Sequence, residues 1–98
     1  MALYRFSNNK LTKFNKDNGL TNGRILNSFH DSEKNTWVTV DDGLFLIKHN
    51  SNTAERITNA NLPPYYLFEI VEPKKGLLLI GSQQNGLLFF DVKTRKSY

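Results

Sequence analysis

The sequence predicts an all-β fold made of β-propeller blades: two four-stranded antiparallel blades and the C and D strands of a preceding blade. Short apolar segments alternate with turn residues along the chain, and this pattern repeats after about 42 residues. No segment keeps a 3.6-residue apolar period over the ~10 residues that a helix needs, so strands are favoured over helices. Because closed propellers contain about four to eight blades, the chain is expected to be a fragment of a larger propeller.

The repeat is visible when two parts of the chain are aligned. Three pairs of segments correspond: ILNSF (25–29) with LFEIV (67–71), WVTV (37–40) with LIGS (79–82), and GLFLI (43–47) with GLLFF (86–90). A four-stranded unit of this length matches the ~40–45 residues of a propeller blade. A sandwich of two sheets is the competing architecture, but a sandwich does not require sequence periodicity.

Each unit is predicted to contain four strands, A to D. They lie at 25–30, 36–40, 44–48 and 55–58 in the first unit, and at 67–72, 77–82, 87–91 and 95–98 in the second. The chain therefore divides into the last strands of a preceding blade (1–16), a first blade (17–58) and a second blade (59–98). Two blades leave their outer faces uncovered, so neighbouring blades or self-association are expected to cover them.

Composition excludes several classes of protein. The net charge is +4, but the 13 Lys and Arg residues are scattered rather than gathered on one element, so nucleic-acid binding is not expected. The chain has no Cys, which excludes disulfide scaffolds, cysteine zinc sites and thiol catalysis. No apolar run approaches the ~20 residues of a membrane span and no signal-peptide pattern is present, so no direct membrane contact is expected.

No catalytic, metal or cofactor site is predicted. His30 and His49 have no acidic or cysteine partner at the spacing of metal ligands. Asp41 and Asp42 are adjacent at a strand end, so their side chains point to opposite sides, and hairpin-turn chemistry explains them better than paired catalysis. No nucleophile motif surrounds Ser28. The chain is therefore not expected to be an enzyme.

Four residues are predicted to have structural roles. Gly43 and Gly86 follow polar turn residues and are expected to adopt the positive φ of a tight hairpin. Trp37 lies in mid-strand, where its ring would fill the space between neighbouring blades. Asp31 lies in the A–B turn, where its carboxylate would accept hydrogen bonds from backbone amides two residues on.

The loops that precede strand A and the loops between strands B and C lie at one end of each unit, and a ligand is expected there. Arg, Asn and Gln can hydrogen-bond sugar hydroxyls or a carboxylate, and aromatic rings stack on sugar faces. The predicted ligand-binding residues are Asn22, Arg24, Asp41, Tyr65, Tyr66, Gln83 and Asn85. Packing of Tyr65 and Tyr66 between blades is the alternative interpretation.

Three segments carry a resemblance to a known repeat. DNGLTNGRILNSFHD at 17–31, NTWV at 35–38 and DDGLF at 41–45 are similar to the two-component regulator propeller repeat, and the likeness extends over nearly the whole chain. Lys34 stands where that family has a turn glycine, and Pro73 stands at the aspartate position of the second unit. Such departures weaken the transfer of individual residue roles.

The resemblance implies a function as well as a fold. That family typically builds the periplasmic sensor region of hybrid two-component histidine kinases of Bacteroides type, anchored in the inner membrane. The implied role is recognition of glycan fragments and signalling to a kinase outside this chain. Two alternatives remain: a structural or protein-interaction propeller without a small-molecule ligand, and a propeller enzyme such as a lyase whose catalytic residues lie on other blades.

Overall fold

The prediction of an all-β fold is confirmed. The computed structural model describes residues 3–7, 10–20, 24–41, 43–58, 67–82 and 86–97. The strands within these residues are β1 (Leu3–Ser7), β2 (Lys10–Phe14), β3 (Ile25–His30), β4 (Thr36–Val40), β5 (Gly43–Ile47), β6 (Ala54–Arg56), β7 (Leu67–Lys74), β8 (Leu77–Ser82), β9 (Gly86–Asp91) and β10 (Lys96–Ser97). A 3-10 turn, Lys16–Asn18, follows β2.

The strands form three antiparallel sheets, each in chain order. β1 and β2 make an N-terminal two-stranded sheet, β3 to β6 make the first four-stranded sheet, and β7 to β10 make the second. Each four-stranded sheet is a meander whose strands lie where the repeat predicts strands A to D. The boundaries differ by one or two residues: β6 ends at Arg56 rather than at residue 58, and β7 continues through Pro73 to Lys74 with an irregular register after Val71. Proline is tolerated there because β7 is an edge strand.

The central strands of the first four-stranded sheet, β4 and β5, are covered on both faces. The three sheets stack in chain order. In each of them, we call the face that points towards the N-terminal end of the stack the rear face and the opposite face the forward face. The rear face of the first four-stranded sheet packs against Phe14 and Leu20 of the N-terminal region. This rear cluster also contains Val38, Val40, Phe45, Ile47 and Ala54, with Leu3 and Ile25 at its border. Because both faces are covered, every residue of β4 is buried.

The forward face of the first sheet packs on the rear face of the second. The cluster between them contains Trp37, Leu44, Leu46 and Ile57 from the first sheet and its C-terminal flank, and Ile70, Leu78, Ile80 and Phe90 from the second. The Trp37 ring meets the Phe90 ring edge-on, with centroids 5.5 Å apart. The prediction that Trp37 fills the space between two units is therefore confirmed.

Equivalent positions of the two sheets point in the same direction. Trp37 on the forward face of the first sheet aligns with Leu79, which pairs with the exposed Phe89 on the forward face of the second. Val38 on the rear face of the first sheet aligns with Ile80 on the rear face of the second. The units therefore follow one another by repetition of a single packing geometry, forward face against rear face.

The prediction for the two hairpin glycines is right at one position and wrong at the other. Gly86 has φ +68°, which glycine adopts without steric cost. Gly43 does not have a positive φ. An added Cβ would lie 2.7 Å from a terminal guanidinium nitrogen of Arg56, the end of a flexible side chain that can move aside. The Arg56 guanidinium lies over the Phe45 ring, 4.7 Å from its centroid.

Candidate functional site

Two of the seven predicted ligand-binding residues lie in the described part of the chain. These are Arg24 and Asp41. Asn22, Tyr65, Tyr66, Gln83 and Asn85 lie outside the described residues. The described part of the candidate site therefore belongs to the first sheet.

The structure brings Arg24 and Asp41 together at one end of the strands of the first sheet. Asp41 follows β4 and Arg24 precedes β3, and these two strands are antiparallel neighbours. The backbone N–H of Asp41 donates to the carbonyl oxygen of Arg24 at 3.0 Å. Arg24 is exposed and Asp41 is half-buried. We call this end of the strands the Arg24–Asp41 edge. It carries a guanidinium, which can donate hydrogen bonds to the hydroxyls of a polar ligand, and a carboxylate, which can accept hydrogen bonds from them.

At the other end of the same strands, Asp31 accepts hydrogen bonds that close the β3–β4 turn. One carboxylate oxygen, Oδ1, accepts from the backbone N–H groups of Glu33 and Asn35, both at 2.9 Å. The other, Oδ2, accepts from Trp37 Nε1 at 2.8 Å. The predicted bond to the amide two residues on is confirmed. The bond to Trp37 was not predicted, although most buried indole N–H groups have a hydrogen-bond acceptor.

In the second sheet, Glu72 performs the corresponding role and also joins the two sheets. Its Oε2 accepts from the backbone N–H of Gly76 at 2.9 Å, which closes the β7–β8 turn. The same carboxylate accepts from Ser32, at 2.8 Å from the backbone N–H and 3.0 Å from Oγ. Glu72 was not among the predicted residues, although its position four residues before a turn glycine is a signal in the sequence.

A further polar link between the sheets is the ion pair of Glu55 and Arg95. The two terminal guanidinium nitrogens of Arg95, Nη1 and Nη2, donate to the Glu55 carboxylate. This hydrogen bonding lowers the pKa of Glu55, and it outweighs partial burial, which acts in the opposite direction. The charges of Arg95 and Lys48 lower the pKa further. Because both side chains remain substantially exposed, we interpret the pair as a link between β6 and the β9–β10 turn.

Two cavities in the surface of the described residues lie away from the Arg24–Asp41 edge. One, of about 110 Å³, lies between the N-terminal sheet and the first sheet and is lined by Leu3, Tyr4, Arg5, Ser28, His30, Thr36 and Ile47. It is smaller than the ~300–1,000 Å³ of typical small-molecule sites, so an oligosaccharide does not fit inside it. The other is an open cleft lined by Glu33, Lys75, Gly76, Asp91, Val92 and Lys93.

The part of the chain that the structure describes contains neither a cluster of metal ligands nor a membrane-spanning helix. No group of three or more His, Asp or Glu side chains lies close enough there to hold a metal ion. In the same residues, no helix has the length and apolar character needed to span a bilayer.

Comparison with family models, with curated proteins and with solved structures found no match for this chain.

Proposed function

We propose that this chain is a ligand-binding module built from consecutive β-propeller blades, with its ligand side at the Arg24–Asp41 edge. The observation that carries the proposal is the placement of Arg24 and Asp41 side by side at one sheet edge, joined by the 3.0 Å backbone hydrogen bond. Forward-to-rear stacking supports the propeller part, because repetition of one packing step places the same edge of every unit on one side of the assembly.

The ligand class that we propose is a glycan fragment. The Arg24 guanidinium donates several hydrogen bonds in a fixed fork, and the Asp41 carboxylate accepts from hydroxyl groups. Such a pair suits neighbouring hydroxyls on a sugar ring. The resemblance to the two-component regulator propeller repeat supports the same class. It also supports a place in the periplasmic sensor region of a membrane-anchored hybrid histidine kinase, with the kinase outside this chain and no catalysis within it.

The second candidate function is a structural or protein-interaction module without a small-molecule ligand. One specific observation favours it: exposed apolar side chains cover the forward face of the second sheet, among them Val71, Leu87 and Phe89. Contiguous exposed apolar patches mark protein–protein contacts. A surface of this kind fits a role in which the sheets connect other parts of an assembly.

The two functions are separated by thermal unfolding of the chain with a panel of neutral and acidic oligosaccharides. A ligand at ~100 times its Kd stabilises the native state by about 2.7 kcal/mol, and in a domain of this size each kcal/mol raises Tm by about 4–8 °C. We expect one class of sugar to raise Tm in the unmodified chain. Arg24→Ala and Asp41→Ala should remove that rise, whereas Lys93→Ala, at a distant exposed turn, should keep it. If no sugar raises Tm, the ligand proposal fails and the interaction module stands.

A further inference from the structure

The exposed large apolar side chains of the described residues lie at the two ends of the stack of sheets. Tyr4 and Leu11 are 56% and 61% exposed on the N-terminal sheet, and Val71, Leu87 and Phe89 are exposed on the second four-stranded sheet. Within the stack, by contrast, the apolar side chains of the facing sheets bury one another. The ends of the stack therefore have the composition of contact surfaces that lack a partner.

At the C-terminal end, these side chains form a continuous surface. Val71, Leu79 and Phe89 are direct cross-strand neighbours on β7, β8 and β9. Leu87 lies two residues from Phe89 on the same face of β9. Because Ile70, Ile80 and Phe90 point to the first sheet, this row points away from it. We call these four residues the forward patch: Val71, Leu79, Leu87 and Phe89.

The first sheet shows what such a surface packs against. The positions equivalent to the forward patch are Phe29, Trp37, Leu44 and Leu46. All four belong to, or pack on, the cluster that the rear face of the second sheet covers. The same face of the same repeat is thus an established interface within this chain, and its partner there is the rear face of another sheet.

At the N-terminal end, the exposed side chains lie on a rear face. Leu3 and Phe14 pair across β1 and β2 and point to the first sheet. Tyr4 is adjacent to Leu3 and Leu11 is three residues from Phe14, so both point to the opposite side. Lys13 pairs with Tyr4 and adds a positive charge on the same side. We call these three residues the rear patch: Tyr4, Leu11 and Lys13. Glu69 is exposed on β7, two residues from Val71, and supplies a negative charge at the C-terminal end of the stack.

We propose that the forward patch of one chain docks on the rear patch of a second copy of this chain. Head-to-tail contact continues the forward-to-rear order that the sheets follow within the chain, and it covers both apolar ends with one type of interface. Such a heterologous contact builds rings or open filaments rather than a dimer that closes on itself. The proposal rests on the stacking geometry and not on a sugar ligand, so the two can fail independently.

The test is analytical ultracentrifugation of the chain from micromolar to near-millimolar concentration, with two charge variants. Leu87→Glu disables the forward patch and Leu11→Glu disables the rear patch. Both side chains are mostly exposed, so both variants are expected to fold with the far-UV spectrum and Tm of the unmodified chain. Thr53→Glu, at an exposed loop position, is the control. The unmodified chain and the control should associate with increasing concentration, and each patch variant alone should stay monomeric.

An equimolar mixture of the two patch variants decides the geometry. Leu11→Glu keeps its forward patch and Leu87→Glu keeps its rear patch, so one contact remains possible and the mixture should form a 1:1 heterodimer that grows no further. Several results would overturn the proposal. These are a monomeric unmodified chain at every concentration, association of the Leu87→Glu variant, association of the Leu11→Glu variant alone, or a mixture that remains monomeric.

Discussion

The two four-stranded sheets share one sequence pattern but differ in how much of it is covered. Leu44 and Leu87 occupy the same position in the repeat and point in the same direction, yet Leu44 is 0% exposed and Leu87 is 70% exposed. The difference arises because the rear face of the second sheet covers the first, while no described residue covers the second. The comparison teaches that the apolar pattern of a repeat specifies which face needs a partner, whereas the partner itself is supplied by the next unit.

The turns of the two sheets differ in a complementary way. Asp31 closes the β3–β4 turn with bonds that stay inside the first sheet. Glu72 closes the β7–β8 turn and also accepts from Ser32 of the first sheet. Different residues at neighbouring positions therefore solve the same local problem, and only the second solution adds to the contact between the sheets.

The largest expected effect comes from the matched pair of leucines. Leu44→Ala removes a side chain between two packed sheets and should destabilise the chain by about 2–5 kcal/mol. Leu87→Ala removes the same group from an open face and should change stability by less than ~0.5 kcal/mol. Urea unfolding of both variants below the concentration of self-association measures the difference. Equal losses in the two variants would show that the sheets are not covered as described.

The second effect concerns the turn carboxylates. Asp31→Ala leaves the buried Trp37 indole N–H and two turn amides without their acceptor, which should cost about 1–3 kcal/mol. Glu72→Ala affects donors that lie closer to solvent and should cost about 1 kcal/mol. Glu33→Ala, an exposed carboxylate in the same turn as Asp31, is the control and should change stability by less than ~0.5 kcal/mol. A loss for Asp31→Ala no larger than that of the control would contradict this assignment.

A smaller effect, of opposite sign in the two sheets, is expected at one turn position. Lys34 has φ +67°, and its repeat equivalent, Gly76, has φ +82°. A side chain on a residue in the left-handed backbone region costs about 1–2 kcal/mol. Replacing that residue by glycine removes this cost, but glycine also has more conformational freedom in the unfolded chain, which offsets about half of the gain. Lys34→Gly should therefore stabilise the chain by about 0.5–1 kcal/mol, and Gly76→Lys should destabilise it by about the same amount.

Thermal unfolding of both variants checks this prediction. Lys75→Gly is the control, because Lys75 lies in the same turn as Gly76 but does not have a positive φ. It should be neutral or slightly destabilising. Stabilisation by Lys75→Gly equal to that of Lys34→Gly would mean that turn flexibility, and not backbone conformation, explains the result.

The smallest expected effect is the pH dependence of the Glu55–Arg95 link. The pKa of Glu55 is lowered in the folded chain by the hydrogen bond and charge of Arg95, so the folded state binds this proton less readily than the unfolded state. The stabilisation is present above the usual glutamate pKa and is lost as the pH falls through the lower folded value. For so exposed a pair it amounts to about 0.2–1 kcal/mol. Glu55→Gln should remove that part of the acid-side slope in unfolding free energy, and an unchanged slope would contradict the assignment.

The sequence predicted the strands well because apolar runs and turn residues are local signals. The Asp31 turn was predictable for the same reason, since an aspartate bonds amides a few residues away. The same turn pattern precedes Gly43, which has no positive φ, and Gly86, which has one, so the pattern alone does not separate them. Glu72 and Arg95 were missed because their partners are 40 residues distant. Contacts of that range depend on how the sheets stack. The ligand side was predicted from connectivity, and the structure adds the contact between Arg24 and Asp41.

The most direct test of the stacking uses the absence of cysteine from the natural sequence. Leu44→Cys and Leu87→Cys each place a single thiol at the same repeat position on the forward face of one sheet. At a concentration where the chain is monomeric, Leu87→Cys should react with a thiol reagent about as fast as unfolded chain. The thiol of Leu44→Cys should react slower by orders of magnitude, because it reacts only when the sheets separate. Equal reaction rates in the native state would contradict the forward-to-rear packing of the two sheets.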